Sequence, residues 1–339
     1  MAEYEIKNGV GIIPEGTTEI ESYAFRDCKE LTNVTIPSSV TKIGWSAFQG
    51  CTGLTSIEIP DSVTEIGDDA FSGCTGLTSI TIPDSVTEIG HYAFSRCTGL
   101  VSVTLGNSLK TIGYNAFYCC SGLTKIVIPA SVTECVEPFV GCIALTSIEV
   151  DKNNTVYDSR ENCNAIIETA TNKLISGCSA TTIPDSVSEI EGNAFNSCTK
   201  LTDIVIPASV KKIGNFAFAG CTGLTNIIVP KSVKTLGSRV FVNCTNLKSV
   251  SILGPVSKID EIFFIDDPDS IRRSLPHENL ETITFGTGIK KIEGLSGYQF
   301  PNLKAIYVPA QKVDYYKERL FDSFLEKIVE LPPEKKAKK

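Results

Sequence analysis

The sequence predicts an α/β repeat solenoid dominated by β structure, and three observations carry that expectation. Phe25, Phe48, Phe71, Phe94 and Phe117 lie 23 residues apart. Cys28, Cys51, Cys74, Cys97 and Cys120 keep the same step three residues later, with Leu31, Leu54, Leu77, Leu100 and Leu123 in register behind them. Within each unit, apolar and polar residues alternate over a short stretch, the period of a strand with one buried face. Self-similarity at such a period is the signature of stacked supersecondary units.

The unit is read most plainly from Leu54-Thr55-Ser56-Ile57-Glu58-Ile59-Pro60-Asp61-Ser62-Val63-Thr64-Glu65-Ile66-Gly67. Ile57 and Ile59 alternate with Ser56 and Glu58, which implies a short strand. Pro60 removes a backbone donor and ends it, and Gly67 suits a tight turn before the next side of the coil. Val63, Ile66, Ala70, Phe71, Cys74 and Leu77 supply the remaining inward positions. One unit cannot enclose its own apolar face, so neighbours must stack and share a core. About a dozen coils at roughly 4.8 Å each give an elongated body on the order of 55–60 Å.

The register contracts by one residue at Phe139, Cys142 and Leu145, breaks, and resumes with Phe195, Phe218 and Phe241 and with Cys198, Cys221 and Cys244. The break, residues 149–182, predicts an inserted β-hairpin. Cys163-Asn164-Ala165-Ile166-Ile167-Glu168 and Lys173-Leu174-Ile175-Ser176-Gly177-Cys178 flank the turn-like Thr169-Ala170-Thr171-Asn172. A second irregular loop covers residues 254–279, after which the unit returns at Leu280 and Leu303. Over 310–330, Val313, Tyr316 and Leu320 sit at helical spacing and Phe324, Leu325 and Ile328 continue the apolar set. This predicts a helical cap, because an open solenoid end exposes core and strand edges. Residues 1–330 thus read as a single solenoid, and 331–339 as a basic disordered tail.

Composition narrows the function. Hydrophobic residues make up 42% of the chain and charged residues 21%, enough apolar surface for a large core. The net charge is −8, and the lysine-rich tail masks a still more acidic body, which disfavours a phosphate backbone as partner. The opening Met1-Ala2-Glu3-Tyr4-Glu5-Ile6-Lys7 lacks a basic and then apolar leader, and apolar runs such as Ile262-Phe263-Phe264-Ile265 are too short to span a bilayer. No nucleic acid and no membrane span are therefore expected.

The pattern Leu-x-x-Ile-x-Ile-Pro-x-x-Val-x-x-Ile-Gly-x-x-Ala-Phe-x-x-Cys resembles that of the BspA-like leucine-rich repeat proteins. The hairpin, preceded by Asp151-Lys152-Asn153-Asn154-Thr155-Val156-Tyr157, shares the resemblance. So does the ending, Tyr307-Val308-Pro309-Ala310 followed by Val313-Asp314-Tyr315-Tyr316-Lys317. The resemblance implies a curved leucine-rich-repeat array with the Ser56/Glu58-type strand on its concave side. In some members it further implies adhesion to host extracellular-matrix proteins or to other cells.

The residues carrying possible chemistry read as structural. Nine of the thirteen cysteines occupy one repeat position, where a thiol acts as a small buried hydrophobe. No zinc spacing appears, His91 and His277 are not embedded in a nucleophile motif, and no phosphate-cradling glycine loop is present. The chain is expected to be non-catalytic, without cofactor or metal. Cys163 and Cys178 fall outside the column. In a symmetric hairpin centred on Ala170 and Thr171 they face each other, close enough for a disulfide if the register holds.

The concave strand face is the candidate site. Its outward positions carry mostly Ser and Thr, which β propensity alone explains. The departures are the candidate ligand contacts: Glu58, Lys125, Val127, Glu149, Asp203, Val205, Asn226 and Ile228. Val127, Val205 and Ile228 are the sharpest, because exposed apolar side chains can anchor a partner. The expected function is a surface adhesin-type module binding extracellular-matrix or cell-surface proteins as a monomer. The alternative is an intracellular protein–protein scaffold using the same face. A removed export signal favours the surface or secreted location, and a native Met1 favours the cytoplasm.

Overall fold

The computed structural model describes residues 4–256, 259, 262–263, 277–289, 292, 300–320 and 322–332. Most of the 254–279 loop and residues 333–339 of the basic tail lie outside the described residues. The chain divides into two compact units, Met1–Thr171 with Ile175–Thr181, and Asn172–Leu174 with Thr182–Lys339.

The first unit opens on an antiparallel hairpin, Glu5–Lys7 against Val10–Ile12. Asn8 and Gly9 both have positive φ, 51° and 81°, as the tightest hairpin turns require. Val10–Ile12 then pairs in parallel with Asn33–Thr35, so the hairpin covers the first coil's edge. The repeat spacing does not announce this element; its signal is the dipeptide Asn8-Gly9.

Each coil has three sides. On the first lie the expected short strands, Ser79–Thr81, Ser102–Thr104, Lys125–Ile128 and Ser147–Val150, stacked in parallel. On the second lies a two-residue strand per coil. Glu19–Ile20, Lys42–Ile43, Glu65–Ile66, Glu88–Ile89, Thr111–Ile112 and Glu134–Cys135 form a six-stranded parallel sheet. Gly90 sits just after one of these, where an added Cβ would come within 2.5 Å of the Asp68 nitrogen, so only glycine lets the backbones approach.

The third side carries the phenylalanine and has no strand. Two left-handed residues flank each ring, such as Tyr23 and Asp27 around Phe25 or Tyr92 and Arg96 around Phe94. This alternation turns successive amides toward the next coil: Phe48 donates to the Ala70 carbonyl at 2.7 Å and Phe71 to that of Ala93 at 2.7 Å. Inside, Phe25, Phe48, Phe71, Phe94 and Phe117 stack nearly parallel at 5.2–5.4 Å. Beside them the column thiols from Cys51 to Cys142, and again Cys221 and Cys244, donate to a phenylalanine carbonyl of the preceding coil, Cys51 to Phe25 at 2.9 Å and Cys97 to Phe71 at 3.1 Å. Cys28 departs from the expectation of a fully buried column. It is only half-buried, because the opening hairpin covers its coil less completely than a further coil would.

In the insertion the turn Thr169–Asn172 joins Ala165–Glu168 to Lys173–Gly177, the expected hairpin strands. Tyr157–Asp158 adds antiparallel to Ala165–Glu168, a pairing the hairpin pattern alone does not contain. Asn154 locks the entry: its Nδ2 donates to the Pro129 and Val132 carbonyls, and its Oδ1 accepts from the Val156 and Tyr157 amides.

The second unit repeats the design. Glu189–Ile190, Lys212–Ile213 and Thr235–Leu236 form its short-strand side, and Asn226–Val229, Ser249–Ile252, Thr282–Phe285, Ala305–Pro309 and Ile328–Leu331 a five-stranded parallel sheet. His277 lies fully buried between Phe263 and Phe300, and burial lowers its pKa to about 4.

The cap is only partly helical. Val313–Lys317 and Asp322–Leu325 are short helices, and the segment ends in the strand Ile328–Leu331, which pairs with Ala305–Pro309. Ile328 is therefore a strand residue and Leu331 belongs to the sheet, correcting the helical reading through 330 and the tail beginning at 331. The apolar set Tyr316, Leu320 and Phe324 is buried as expected, whereas Val313, Leu325 and Ile328 are half-buried. Tyr316 stacks on Phe285 and donates its hydroxyl to the Gly286 carbonyl at 2.9 Å.

Candidate binding face

The solvent side of the first-side strands follows from their period of two. In Lys125–Ile128, Ile126 and Ile128 are buried while Lys125 and Val127 face out. In Asn226–Val229, Ile227 and Val229 are buried while Asn226 and Ile228 face out. All eight candidate contacts are solvent-facing or carry a solvent-facing charged group, but they do not form one constellation.

In the first unit, Lys125, Val127 and Glu149 come together. Val127 pairs directly with Glu149, and the Lys125 Nζ reaches the Glu149 Oε1 at 2.7 Å, with both side chains about half-exposed. Val127 keeps 43% of its surface in solvent. Glu58 stands apart. Residues 54–60 carry no strand although Ser56 and Glu58 still face out and Ile57 and Ile59 in. The segment instead borders an open cleft of 490 Å³ shared with Asn33, Val34, Thr35 and Ile36.

In the second unit, Asp203, Val205, Asn226 and Ile228 lie on neighbouring coils. Residues 201–206 again keep the in–out alternation without a ladder. Val205 is 75% exposed and Ile228 58%. Asn226 is held in place, its Oδ1 accepting from Ser249 Oγ at 2.7 Å and its Nδ2 donating to Thr225 Oγ1 at 3.0 Å. The register then runs from Ile228 to Ser251, Thr284, Tyr307 and Val329, one residue per strand. Val329 is 40% exposed. Tyr307 was legible in the sequence by counting four residues on from Leu303, as Glu58 is reached from Leu54. Val329 was not, since it lies beyond the last leucine of the repeat.

The face offers apolar contact flanked by hydroxyls and amides. Among the described residues no group of three or more His, Cys, Asp and Glu is placed to hold a metal ion. Cys163 and Cys178 are both buried and free. The Cys178 thiol donates to the Asn164 carbonyl at 3.4 Å, and the Cys163 thiol lies 4.0 Å from the Ala165 carbonyl. No described helix is long and apolar enough to cross a membrane.

Comparison with known proteins agrees with this architecture. The BspA type Leucine rich repeat region matches in six copies, over residues 11–90, 64–173 and 166–272. Among solved structures, a leucine rich cell surface protein from Faecalibacterium prausnitzii is 34% identical with a TM-score of 0.67, over 84% of this chain and 79% of that one. A leucine-rich repeat protein from Bacteroides ovatus is 28% identical with a TM-score of 0.61, over 94% and 83%. The pneumococcal vaccine antigen PcpA, 21% identical with a TM-score of 0.62 over 93% and 85%, shares the fold. No curated protein matches the chain. With the repeat profile covering most of its length and a relative above 30% identity aligned over most of both chains, this protein belongs to the BspA-type leucine-rich-repeat family.

Proposed function

We propose that the chain is a non-catalytic binding module of a cell-surface protein, and that its strand face seats a protein ligand in an adhesin-type role. The observation that carries this reading is the row Val205, Ile228, Tyr307 and Val329 in the second unit. Val205, Ile228 and Val329 stand there in water with Tyr307 half-buried, and from Asn226 onward their strands pair in one parallel ladder. Folding gains nothing from exposing them, whereas a partner that covers them gains apolar contact ringed by Ser251, Thr284 and Asn226. The surface location rests on the Faecalibacterium prausnitzii relative, which is described as a cell surface protein.

The test is binding of the purified chain to immobilised extracellular-matrix proteins and to intact host cells. The double variant Val205→Lys/Ile228→Lys is expected to lose binding at least tenfold while keeping its circular dichroism and melting point. Thr235→Lys, on the short-strand side of the same unit, serves as the control and is expected to bind normally. Unchanged binding by the double variant would overturn the assignment of the face.

A further inference from the structure

A second surface, on the third side of the first unit, carries aromatic residues that neither the core nor the strand face uses. The residue that follows the turn glycine in successive coils is Trp45, Asp68, His91 and Tyr114, and all four are exposed. Trp45, the chain's single tryptophan, keeps 50% of its surface in solvent. Its ring lies 5.0 Å from that of Tyr23, tilted by 53°, and Tyr92 meets Tyr114 edge-on at 5.6 Å.

The fold does not ask for these rings. At the same position the second unit has Gly192, Asn215 and Ser238. The backbone duty there is only to offer an acceptor: Asn215 Oδ1 takes the Ser238 amide at 2.9 Å, as Asp68 Oδ1 takes the His91 amide at 2.7 Å. Tyr23 and Tyr92 moreover sit at φ of 64° and 55°, a left-handed conformation that bulky side chains adopt only at a cost; Ser46, Asp69 and Asn115 fill it in neighbouring coils, and Phe216 and Arg239 in the second unit. At Tyr23, 41% exposed, burial does not offset that strain, which points to use rather than to stability.

We propose that Tyr23, Trp45, Asp68, His91, Tyr92 and Tyr114 form a platform for an uncharged oligosaccharide lying along the direction of coil stacking. The chemistry selects that ligand. Sugar rings present apolar C–H faces that stack on aromatic rings and hydroxyls that need donors and acceptors beside them. The two aromatic pairs supply stacking stations at either end. Between them stand the Asp68 carboxylate and His91, whose Nδ1 accepts the Tyr114 amide at 2.8 Å and so leaves Nε2–H as a donor. The core rings beneath this row are 5.2, 5.2 and 5.4 Å apart, so Trp45 and Tyr114 are separated by roughly 16 Å, the reach of a short oligosaccharide. Asp68 and Asp69 at the centre repel the phosphates of single-stranded nucleic acid, which would otherwise suit exposed rings. Tilts of 53° and 85° leave no parallel-walled slot for the proline rings of an extended peptide.

Trp45 is its own reporter. Cello-, manno-, galacto- and chito-hexaose are titrated against the intact chain, with a proline-rich peptide as the competing class, while Trp45 fluorescence is followed. At least one hexaose is expected to change the emission saturably. Affinity electrophoresis in gels holding the matching polysaccharide then compares variants that borrow the second unit's residues. Trp45→Ser and Tyr114→Asn are expected to lose retardation at least tenfold with unchanged melting points, and Val205→Lys/Ile228→Lys to keep it. The proposal is overturned if no hexaose alters the emission, if the peptide alone does so, or if Trp45→Ser is retarded like the parent chain.

Discussion

The thiol of Cys74 donates a hydrogen bond to the carbonyl oxygen of Phe48, 3.1 Å away and 26 residues earlier in the chain. The relation repeats at Cys51, Cys97, Cys120, Cys221 and Cys244, so on the strandless side the thiol adds a second donor to a phenylalanine carbonyl that already accepts the amide three residues on. At the contraction Cys142 still reaches Phe117, now 25 residues back, which shows that the ladder tolerates a shortened coil. Cys74→Ala would leave a small void and remove one of the two donors to the Phe48 carbonyl, which keeps the Cys51 amide at 3.1 Å, so a loss of about 1 kcal/mol is expected in urea denaturation. Burial also pushes these thiols up, Cys51 to about 12, and leaves almost no thiolate at neutral pH. Among the column thiols Cys28 should label first under a thiol reagent and Cys74 only on unfolding; equal rates would contradict the packing.

His277 should make the second unit sensitive to mild acid. Its native pKa, lowered to about 4 by burial, lies below the unfolded value of 6.5. The unfolded chain therefore takes up a proton that the native chain refuses. This contribution is fully present above pH 6.5, is lost as pH falls from 6.5 to 4, and levels off below 4. The whole loss is about 3 kcal/mol, of which about 2 falls between pH 7 and pH 5, before most carboxylates titrate. The His277→Gln variant should show a flatter stability profile over that window. Nuclear magnetic resonance of the native ring should show no titration above pH 5, and a midpoint near 6.5 would refute the account.

Arg96 occupies a left-handed position, φ 59°, that Gly50, Gly73, Gly141 and Gly220 fill in other coils and Asn243 in another. Its amide donates to the Tyr118 carbonyl at 2.6 Å, so the conformation is imposed by the ladder and not by the side chain. Arg96→Asn keeps the Cβ but brings the short polar side chain that tolerates the left-handed region by bonding the local backbone, as at Asn243, and is expected to stabilise the chain by about 0.5–1 kcal/mol, read as a raised melting temperature. A lowered melting temperature would mean that the arginine stem contributes more than its backbone costs.

These positions also show what the sequence could and could not reveal. Phe71 and Cys74 were legible because stacking copies one environment many times, and a repeated environment demands a repeated residue. The left-handed sites left no such trace. Tyr23, Ser46, Asp69, Tyr92 and Asn115 share a backbone geometry but no side-chain chemistry, since the ladder imposes their φ. The strand at Glu58 was read from alternation, and the alternation holds, but pairing depends on how closely two coils approach, which no single unit encodes. Val205 and Ile228 were found as departures from the Ser/Thr rule. Tyr307 obeys the same register, while Val329 lies in a strand built from the cap.

The last expectation concerns Cys163 and Cys178. Cys163 lies two residues before the strand Ala165–Glu168 and Cys178 directly after Lys173–Gly177, each 1% exposed. Both thiols are free, and the Cys178 thiol is turned to the carbonyl of Asn164, the residue next to Cys163. A hairpin centred on Ala170 and Thr171 sets the two residues opposite each other, where a non-hydrogen-bonded pair brings Cα atoms to about 4.5 Å, inside the range of a bridge. Burial pushes Cys163 up to about 11 and raises Cys178 too, so exchange in the folded chain should be slow and the bond should form during folding. Refolding in an oxidising glutathione buffer is therefore expected to give a Cys163–Cys178 linked peptide on non-reducing mapping, and air oxidation of the native chain very little. Closure would lock a hairpin whose register a one-residue slip would otherwise reverse, and it would suit an oxidising compartment. If refolding yields no linked peptide and both thiols alkylate on denaturation, the two cysteines do not face each other.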